Sequence, residues 1–540
     1  MRTLPLVLML LLSGCGGDSG SLDDPGAWRA HPADGVALEL GDDGGALRLD
    51  FAFSGGGYAI ARREVDLNLP RNYMFRFRLR GEAPPNHLEF KLVDQSGENV
   101  WWKVYRDVEW PAGWRTVTIR KRQIGFAWGP AGGGELDRVA AIEFAVTAGT
   151  GGTGSVWIDD LELVALPVVA GPPPEPVASV SSAPDSNPAE LALDGNPATW
   201  WTARDQDSEP HLQLDLGRLR EFGGLTIDWV EGRHTSDYVV ESSADGRAWD
   251  NLLAVTGGNG GRDDLYLPET ETQWLRLRMM PGEGTPPLAI AEIIIRPLEW
   301  SATRECFFMN IAADQPRGLY PRGFLDEATA WTVVGVDGDS REGLLGADGA
   351  LEAGPGGFSL EPFLWADGQL LTWNDVTASQ YLVNEDLPLP GVTWENGPLR
   401  LDIRALGTGP PEKSSMLARY LVENRGSVAD TVTLYLALRP FQVNPPVQFL
   451  NVRGGTAPVA GIALNGRTIL VDGRPGVVLL TEPDGFGATT FAGGDVVVDF
   501  LSRGRVPTAQ TVNDPFAAAS AVAAFRMALN PGAGAGVEVV

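Results

Sequence analysis

The chain has 540 residues, enough for three or four domains that each bury a core of their own. Its 70 acidic residues outnumber its 42 basic residues, and the formal net charge of −28 repels phosphate backbones, which argues against nucleic acid as a partner. Glycine (67) and proline (40) make up about a fifth of the residues, so turns are frequent and a largely helical fold is disfavoured.

The amino terminus has the pattern of an export signal. The apolar run from Leu4 to Leu12 is too short to cross a bilayer as a helix but matches the apolar region of a secretory signal. The adjoining Leu12-Ser13-Gly14-Cys15 resembles the bacterial lipobox, which implies a signal peptide over 1–14, cleavage before Cys15 and lipidation of that thiol. The resemblance predicts an exported lipoprotein of the outer membrane or cell surface, attached to the membrane through Cys15 only, with a tether over 15–26.

Short segments with alternating polarity follow along the whole chain. Tyr73 to Leu79, Leu212 to Leu216 and Trp274 to Arg278 each place side chains on two faces, and turn residues separate such segments. This pattern predicts an all-β fold of antiparallel sandwiches. A proline-rich spacer over 167–176 separates a first domain (27–166) from a second (177–298), and a third domain spans 301–540.

The first domain contains two adjacent tryptophans in a predicted strand. Neighbouring residues of a strand point to opposite faces, so Trp101 and Trp102 cannot both fill one core. We expect one of them to face a ligand, although burial of both between sheets and loops remains an alternative. Together with the closing segment Ser155 to Leu163, this region resembles the galactose-binding-like jelly rolls of carbohydrate-binding modules. The resemblance implies a jelly-roll sandwich that binds sugar.

The second domain contains five motifs in a fixed order. They are Ala192-Leu193-Asp194-Gly195-Asn196-Pro197-Ala198-Thr199-Trp200-Trp201, His211 to Gly217, Tyr238 to Trp249, Trp274 to Leu277, and Ala291-Glu292-Ile293. Together they resemble the discoidin domain, also called the coagulation factor 5/8 type C domain. That resemblance implies a second jelly roll in which Trp200 takes the position of the family's buried tryptophan. Trp201 has no counterpart in the family, and an exposed ring is the alternative open to it.

The same resemblance implies a structural calcium ion (Ca2+) as cofactor. It assigns the side chains of Asp194 and Thr199, the backbone carbonyl of Asn196 and the carboxylate of Glu292 as ligands. Hard oxygen donors in a glycine-containing turn suit calcium. A turn held by side-chain hydrogen bonds, without metal, remains the alternative.

Sugar-binding discoidin members hold their ligand in loops at one end of the barrel. Candidate ligand-binding residues here combine stacking faces with hydrogen-bond donors, and each could instead be structural or simply solvated. They are Trp201, Arg204, Trp229, Arg233 and His234, in addition to Trp101 and Trp102 of the first domain.

The third domain resembles the β-supersandwich that precedes the (α/α)6 barrel of several bacterial glycoside hydrolases. The complete architecture predicted is therefore tandem jelly-roll β-sandwiches followed by a larger β-supersandwich. Cys306 lies in an apolar run, Glu305 to Met309, that we predict to be a strand with an inert thiol. No helical barrel is expected within the 540 residues, and no pair of carboxylates stands out as catalytic.

Two functions agree with this organisation. The first is the binding of poly- or oligosaccharides by a lipid-anchored surface or periplasmic protein that is not itself an enzyme. The alternative is the non-catalytic amino-terminal part of an exported glycoside hydrolase whose helical catalytic domain is absent from this chain.

Overall fold

The computed structural model describes residues 22–168, 171–282, 284–385, 387–411, 413–448, 454–494 and 496–540. Within these ranges almost all regular structure is antiparallel β-sheet, which confirms the predicted all-β class of sandwiches. The chain divides into two compact units between Pro172 and Pro173. The predicted signal peptide and Cys15 lie outside the described residues. No helix that the structure describes has the length and apolar character required to span a bilayer.

The first unit is a sandwich of two sheets. Its strands are β1 (Arg29–Pro32), β2 (Ala37–Asp43), β3 (Ala46–Phe53), β4 (Tyr58–Asn68), β5 (Tyr73–Glu82), β6 (Asn86–Asp94), β7 (Val100–Val108), β8 (Arg115–Arg120), β9 (Gly125–Trp128), β10 (Arg138–Thr147) and β11 (Gly152–Ala165). One sheet has the order β1-β4-β10-β6-β7-β9 and the other β2-β3-β11-β5-β8. The rings of Phe75, Phe77, Phe90 and Phe144 contact one another between the sheets, so alternate residues of both sheets form the core.

The second unit begins with a barrel-like sheet. Its strands are β12 (Val177–Val180), β13 (Trp201–Thr202), β14 (His211–Trp229), β15 (Asp237–Ser243), β16 (Asp250–Val255), β17 (Arg262–Met280) and β18 (Ala289–Arg296). The order is β13-β18-β14-β17-β15-β16, and β12 pairs with β14. The long strands β14 and β17 contain register shifts, which bend them around one core.

The remainder of this unit contains three sheets and two α-helices in the described ranges. The elements are α1 (Arg304–Ala313), β19 (Trp331–Val334), β20 (Gly343–Gly346), β21 (Leu351–Glu352), β22 (Ser359–Ala366), β23 (Gln369–Leu371), β24 (Thr377–Leu382), β25 (Pro390–Asn396), β26 (Leu399–Thr408), β27 (Ser415–Asn424), β28 (Asp430–Arg439), β29 (Gly461–Asn465), β30 (Thr468–Val471), β31 (Arg474–Val478), β32 (Gly485–Thr489), α2 (Val497–Leu501), β33 (Thr511–Asn513), β34 (Ser520–Leu529) and β35 (Gly534–Val539).

These strands form an eight-stranded, a five-stranded and a four-stranded sheet. Their orders are β19-β20-β21-β22-β28-β34-β32 with β23 on β22, β24-β25-β26-β27-β35, and β31-β30-β29-β33. One hydrophobic cluster contains side chains from all three sheets, including Leu434, Tyr420 and Ile462. The region therefore has a single main core.

A buried ion pair lies beside that core. Arg439 is almost fully buried, and its Nη1 donates to Glu361 Oε2 at 2.9 Å and to the carbonyl of Leu319 at 2.8 Å. Ser359 Oγ donates to the other oxygen of Glu361 at 2.7 Å, and the guanidinium lies 4.7 Å from the centroid of the Phe441 ring. Both charges thus have partners although both side chains are buried.

The β12–β18 barrel packs against the residues that follow it. The rings of Tyr266 and Phe307 meet edge to face at 5.4 Å, and Arg262 pairs with Asp314 at 2.9 Å. Gly224 makes this approach possible, since a Cβ there would lie 2.8 Å from the Trp300 ring and collide with the carbonyl of Leu265. A Cβ at Gly223 would collide with the carbonyl of Pro297. Two adjacent glycines therefore permit the close approach at this contact.

The run around Cys306 is helical, so the predicted strand is wrong. Residues Arg304–Ala313 form α1, and Thr303 caps it because its side chain accepts a hydrogen bond from the backbone N–H of Cys306 at 3.1 Å. The helix buries Phe307, Phe308 and Ile311, and Ile311 follows the two phenylalanines by four and three residues, which places it on the same face as both. Cys306 is a free, half-buried thiol.

Candidate functional site

The outer face of the six-stranded sheet carries one row of polar and aromatic side chains. Strand register places Arg62 of β4 opposite Glu143 of β10, Glu143 opposite Lys91 of β6, and Lys91 opposite Trp102 of β7. Residues paired in this way lie on the same face of a sheet. The row therefore crosses four neighbouring strands on the face that points away from the core.

Trp101 and Trp102 lie on opposite faces of the sheet, as the alternation of side chains along a strand requires. Trp101 is only 6% exposed, its indole N–H donates to the carbonyl of Gly134 at 3.1 Å, and its ring meets Phe126 edge to face at 5.2 Å. The prediction that Trp101 is a ligand-binding residue is therefore wrong, because its ring belongs to the core. Trp102 is half-buried on the outer face.

A second indole on this face, Trp128, does not follow from the sequence pattern. It is 46% exposed, and its ring meets that of Trp102 at 86° with 5.3 Å between centroids. Alternation along β9 would place Trp128 on the inner side with Phe126. A register irregularity between Val100 and Trp101 instead pairs Trp128 with Val100, which faces outward. The two outer indoles form what we call the indole pair.

The polar residues of the row are held by ion pairs and hydrogen bonds. Lys91 Nζ lies 2.8 Å from Glu89, which also accepts a hydrogen bond from the Thr147 hydroxyl at 3.0 Å. Arg62 lies 2.9 Å from Glu143 and 2.7 Å from Glu64. Burial lowers the pKa of Arg62, but the two glutamates more than offset this and the pKa is raised. Of these side chains Lys91 lies nearest to the indole pair, with its Nζ 5.4 Å from the centroid of the Trp128 ring, whereas Arg62 lies three strands away from Trp102. Glu89, Lys91 and Glu143 are buried, so Arg62 and Thr147 are the more accessible polar groups of this face.

The predicted calcium ligands come together in the barrel of the second unit. Thr199 Oγ1 lies 2.7 Å from Asp194 Oδ2 and 2.9 Å from the backbone carbonyl oxygen of Asn196, and it can donate its one proton to either. Asp194 Oδ1 accepts from the backbone N–H of Asn196 at 2.9 Å. Glu292 on β18 reaches this turn, since its Oε2 accepts from the N–H of Gly195 at 2.9 Å.

The charge around Glu292 fits a bound cation. Glu292 is 8% exposed, and its pKa is raised by burial and by the nearby carboxylates of Asp194 and Asp228. In the described part of the chain neither Asp194 nor Glu292 forms an ion pair with a basic side chain. Two carboxylates, a hydroxyl and a carbonyl form a hard oxygen set that suits Ca2+. Asp194, Asn196, Thr199 and Glu292 would hold the ion, which would bridge the turn to β18.

We expect the melting temperature of the chain to be higher in 5 mM CaCl2 than in a buffer that contains EDTA. A ligand that binds only the folded state stabilises that state, by about 2.7 kcal/mol when the ligand concentration is 100 times its Kd. Glu292→Gln should abolish this shift. Glu231→Gln, which changes an exposed carboxylate of the same barrel, should retain it. Differential scanning calorimetry measures both variants. An identical shift in wild type and Glu292→Gln would contradict the assignment.

Two of the predicted ligand-binding tryptophans of this barrel are buried. Trp201 is 0% exposed and its indole N–H donates to the carbonyl of Ser182 at 3.0 Å. Trp229 is buried and donates to Asp263 Oδ2 at 2.8 Å. Both predictions are wrong, because each indole N–H is satisfied inside the protein. The burial of the two adjacent tryptophans is also the reverse of what was expected, since Trp200 is partly exposed and Trp201 is buried.

The other three loop candidates lie on neighbouring loops. Backbone hydrogen bonds join Ala203 to Leu288 at 2.9 Å and Ala289 to Arg233 at 2.9 Å, so the segments before Arg204 and at Arg233 flank the start of β18. Arg204 is exposed, but its Nε donates to the carbonyl of Ala183 at 2.9 Å. Arg233 and His234 are half-buried. Their role in ligand binding stays a prediction.

The five-stranded sheet of the first unit also presents an exposed indole. Trp114 is 39% exposed, and the guanidinium groups of Arg78 and Arg80 each lie 5.1 Å from its ring centroid. Arg78 also pairs with Asp159 and Asp160, whose carboxylates lie close to that of Asp23. The charges of this acidic group are thus partly compensated by an arginine, and Trp114 is stabilised by cation–π contacts.

Comparison with known proteins gives one family match. Residues 177–293 match the model of the F5/8 type C domain, whereas comparison with curated proteins found no match. Among solved structures, the chain is similar to chitosan-binding module 2 from the chitosanase/glucanase of Paenibacillus sp. IK-5, in complex with chitotriose (20% identity, TM-score 0.22, 23% of this chain and 96% of that chain).

Two further similar structures come from Clostridium perfringens. They are the family 32 carbohydrate-binding module of NanJ in complex with galactose (20% identity, TM-score 0.21, 22% of this chain and 93% of that chain) and CpGH89CBM32-5 in complex with GalNAc-beta-1,3-galactose (20% identity, TM-score 0.21, 23% of this chain and 95% of that chain). The family match supports the expectation of a discoidin-type domain in the second unit, over residues 177–293.

Proposed function

We propose that this chain binds poly- or oligosaccharides and has no catalytic role of its own. The observation that supports this most directly is the indole pair beside fixed polar groups on the outer face of the six-stranded sheet. The flat face of an indole packs against the C–H groups of a sugar ring, while ring hydroxyls need donors and acceptors alongside. Trp128 supplies the exposed face, and Arg62 and Thr147, which are half-buried, supply polar groups further along the same face for a ligand with several rings.

The F5/8 type C domain is proposed as a second sugar contact. Its calcium ion would fix the turn at Asp194 against β18, and the neighbouring loops with Arg204, Arg233 and His234 would meet the ligand. Two modules on one chain would gain avidity on a polymer that presents many copies of a sugar. The calcium ion would act on structure only.

The test is binding of the full chain to a panel of plant, algal and bacterial polysaccharides by affinity electrophoresis. Trp128→Ala should weaken retardation about 30-fold or more, because loss of a central aromatic contact costs about 2 kcal/mol. Trp114→Ala removes an equally exposed indole from the other sheet and should leave binding unchanged. Binding that both variants retain in full would contradict the proposed site.

We further propose that the chain is anchored to a membrane through lipid on Cys15. This proposal rests on the resemblance of Leu12 to Cys15 to a lipobox. The wild type should enter the detergent phase of a Triton X-114 partition, and Cys15→Ala should lack the lipid mass, because it removes the thiol that carries the acyl chains. Intact-mass analysis of the wild type provides the independent measurement. A mature wild-type chain without lipid mass would contradict the proposal.

A further inference from the structure

The residues that follow the barrel enclose a cavity with mostly apolar walls. Four buried aromatic side chains line it, and four prolines extend these walls. The aromatic residues are Phe324, Phe363, Trp373 and Trp394. Ala330, which is exposed, also lines the cavity, so the cavity opens to solvent on that side. Flat apolar walls of this kind suit a ligand that contains a ring.

The charged side chains that line the cavity are paired with each other or with neighbours. Arg322 donates to both carboxylate oxygens of Asp348, at 2.9 and 3.0 Å, and its guanidinium lies 4.2 Å from the centroid of the Trp373 ring. Glu361 is the partner of the buried Arg439 at 2.9 Å. Two carboxylates and two guanidinium groups cancel in charge, so the cavity favours a neutral ligand.

One buried oxygen atom of the cavity lining is left without a donor. Gln442 lines the cavity and is only 6% exposed. Its Nε2 donates to the carbonyl of Thr456 at 2.9 Å, but its Oε1 has no hydrogen-bond partner among the described residues. A buried oxygen without a donor costs free energy, which a ligand with an O–H group would recover.

The space inside the cavity is close to that of one six-membered ring. The centres of water molecules can occupy about 50 Å³ of it, which corresponds to about four waters at about 10–15 Å³ each. Four waters fill about 120 Å³ in the liquid, and an apolar cavity of about 150 Å³ accommodates benzene. A sugar ring carries several hydroxyl groups, and most of them would lack a partner beside these apolar walls.

We propose that this cavity binds a small neutral phenol, a molecule with one hydroxyl group on an aromatic ring. The ring packs against the walls at Trp373 and Trp394, and the hydroxyl donates to Oε1 of Gln442. A carboxylate or an ammonium group on the ligand would have to compete with the pairs at Asp348 and Glu361, which costs free energy. The site does not depend on the sugar contacts proposed above.

The experiment measures the Kd of phenol for the full chain by ligand-detected nuclear magnetic resonance at about pH 7, where phenol is neutral. Gln442→Met removes the acceptor and should weaken binding about tenfold, because one neutral hydrogen bond is lost. Gln380→Met changes an exposed glutamine of β24 and should leave the Kd unchanged within about twofold. Ala350→Phe adds a ring at a residue that lines the cavity and should abolish binding.

Three further probes define the ligand class. Benzene lacks the donor and should bind the wild type about tenfold more weakly than phenol. Benzoate is charged and glucose has several hydroxyl groups, and neither should displace phenol. Thermal unfolding shows whether each variant folds, and the comparison of phenol with benzene in the wild type replaces any variant that does not. No phenol binding below about 50 mM would show that the cavity holds water only and would overturn the inference. Phenol binding that Ala350→Phe retains, or equal affinities for phenol and glucose, would also overturn it.

Discussion

Trp201→Ala is expected to lower the free energy of unfolding of the second unit by about 3–5 kcal/mol, the usual cost of removing a buried tryptophan. The side chain is 0% exposed, belongs to the barrel core and donates its N–H to the carbonyl of Ser182. Alanine would leave a cavity and a carbonyl without its donor. Urea unfolding followed by circular dichroism measures the change.

Trp200→Ala is the matched control for this prediction. It removes the same side chain from the adjacent position, where the ring is partly exposed, so the loss should stay near 1 kcal/mol. The ligand affinity of the Trp201→Ala protein, measured below its unfolding transition, should remain that of the wild type. Equal destabilisation by the two substitutions would contradict the assignment of Trp201 to the core.

Glu361→Ala is expected to be destabilising by about 3–5 kcal/mol, because it leaves the charge of Arg439 buried without a counter-ion. Arg439 is among the largest fully buried side chains and has Glu361 as its ion-pair partner at 2.9 Å. The carboxylate also accepts a hydrogen bond from Ser359, which would lose its partner. Chemical denaturation of the full chain, with the transition of the second unit followed separately, gives the difference.

Two controls separate the buried charge from general effects. Glu395→Ala breaks an exposed ion pair with Arg425 in the same unit and should cost less than about 1 kcal/mol. The double variant Glu361→Leu with Arg439→Met removes both charges and should be more stable than Glu361→Ala. A Glu361→Ala protein as stable as Glu395→Ala would show that solvent reaches Arg439.

The sequence was sufficient to predict the β class, because alternation and turn residues are local signals. The sequence also predicted that Trp101 and Trp102 lie on opposite faces. The family resemblance implied that Asp194, Asn196, Thr199 and Glu292 lie close together. The sequence could not reveal that Trp128 faces outward, since that depends on a register irregularity between two strands. The alternation of side chains is a pattern within one strand, whereas register is a property of two paired strands.

The wrong predictions have a common physical cause. Trp201 and Trp229 are ligand-binding candidates by sequence because aromatic rings suit sugars, but the indole N–H of each donates to a distant segment, at Ser182 and Asp263 respectively. A hydrogen-bond partner from a distant segment cannot be inferred from the residues that neighbour the tryptophan in the sequence. Cys306 was predicted to lie in a strand because its neighbours are apolar, whereas Thr303 provides a helix cap three residues earlier.

The paired glycines at 223 and 224 have an implication for related chains. Because a methyl group at Gly224 would lie 2.8 Å from the Trp300 ring and collide with the carbonyl of Leu265, a related chain that keeps this contact needs glycine at that position. A larger residue there would force the barrel strands and the segment at Trp300 apart, so the identity of this one residue indicates whether a related chain can pack its barrel in the same way.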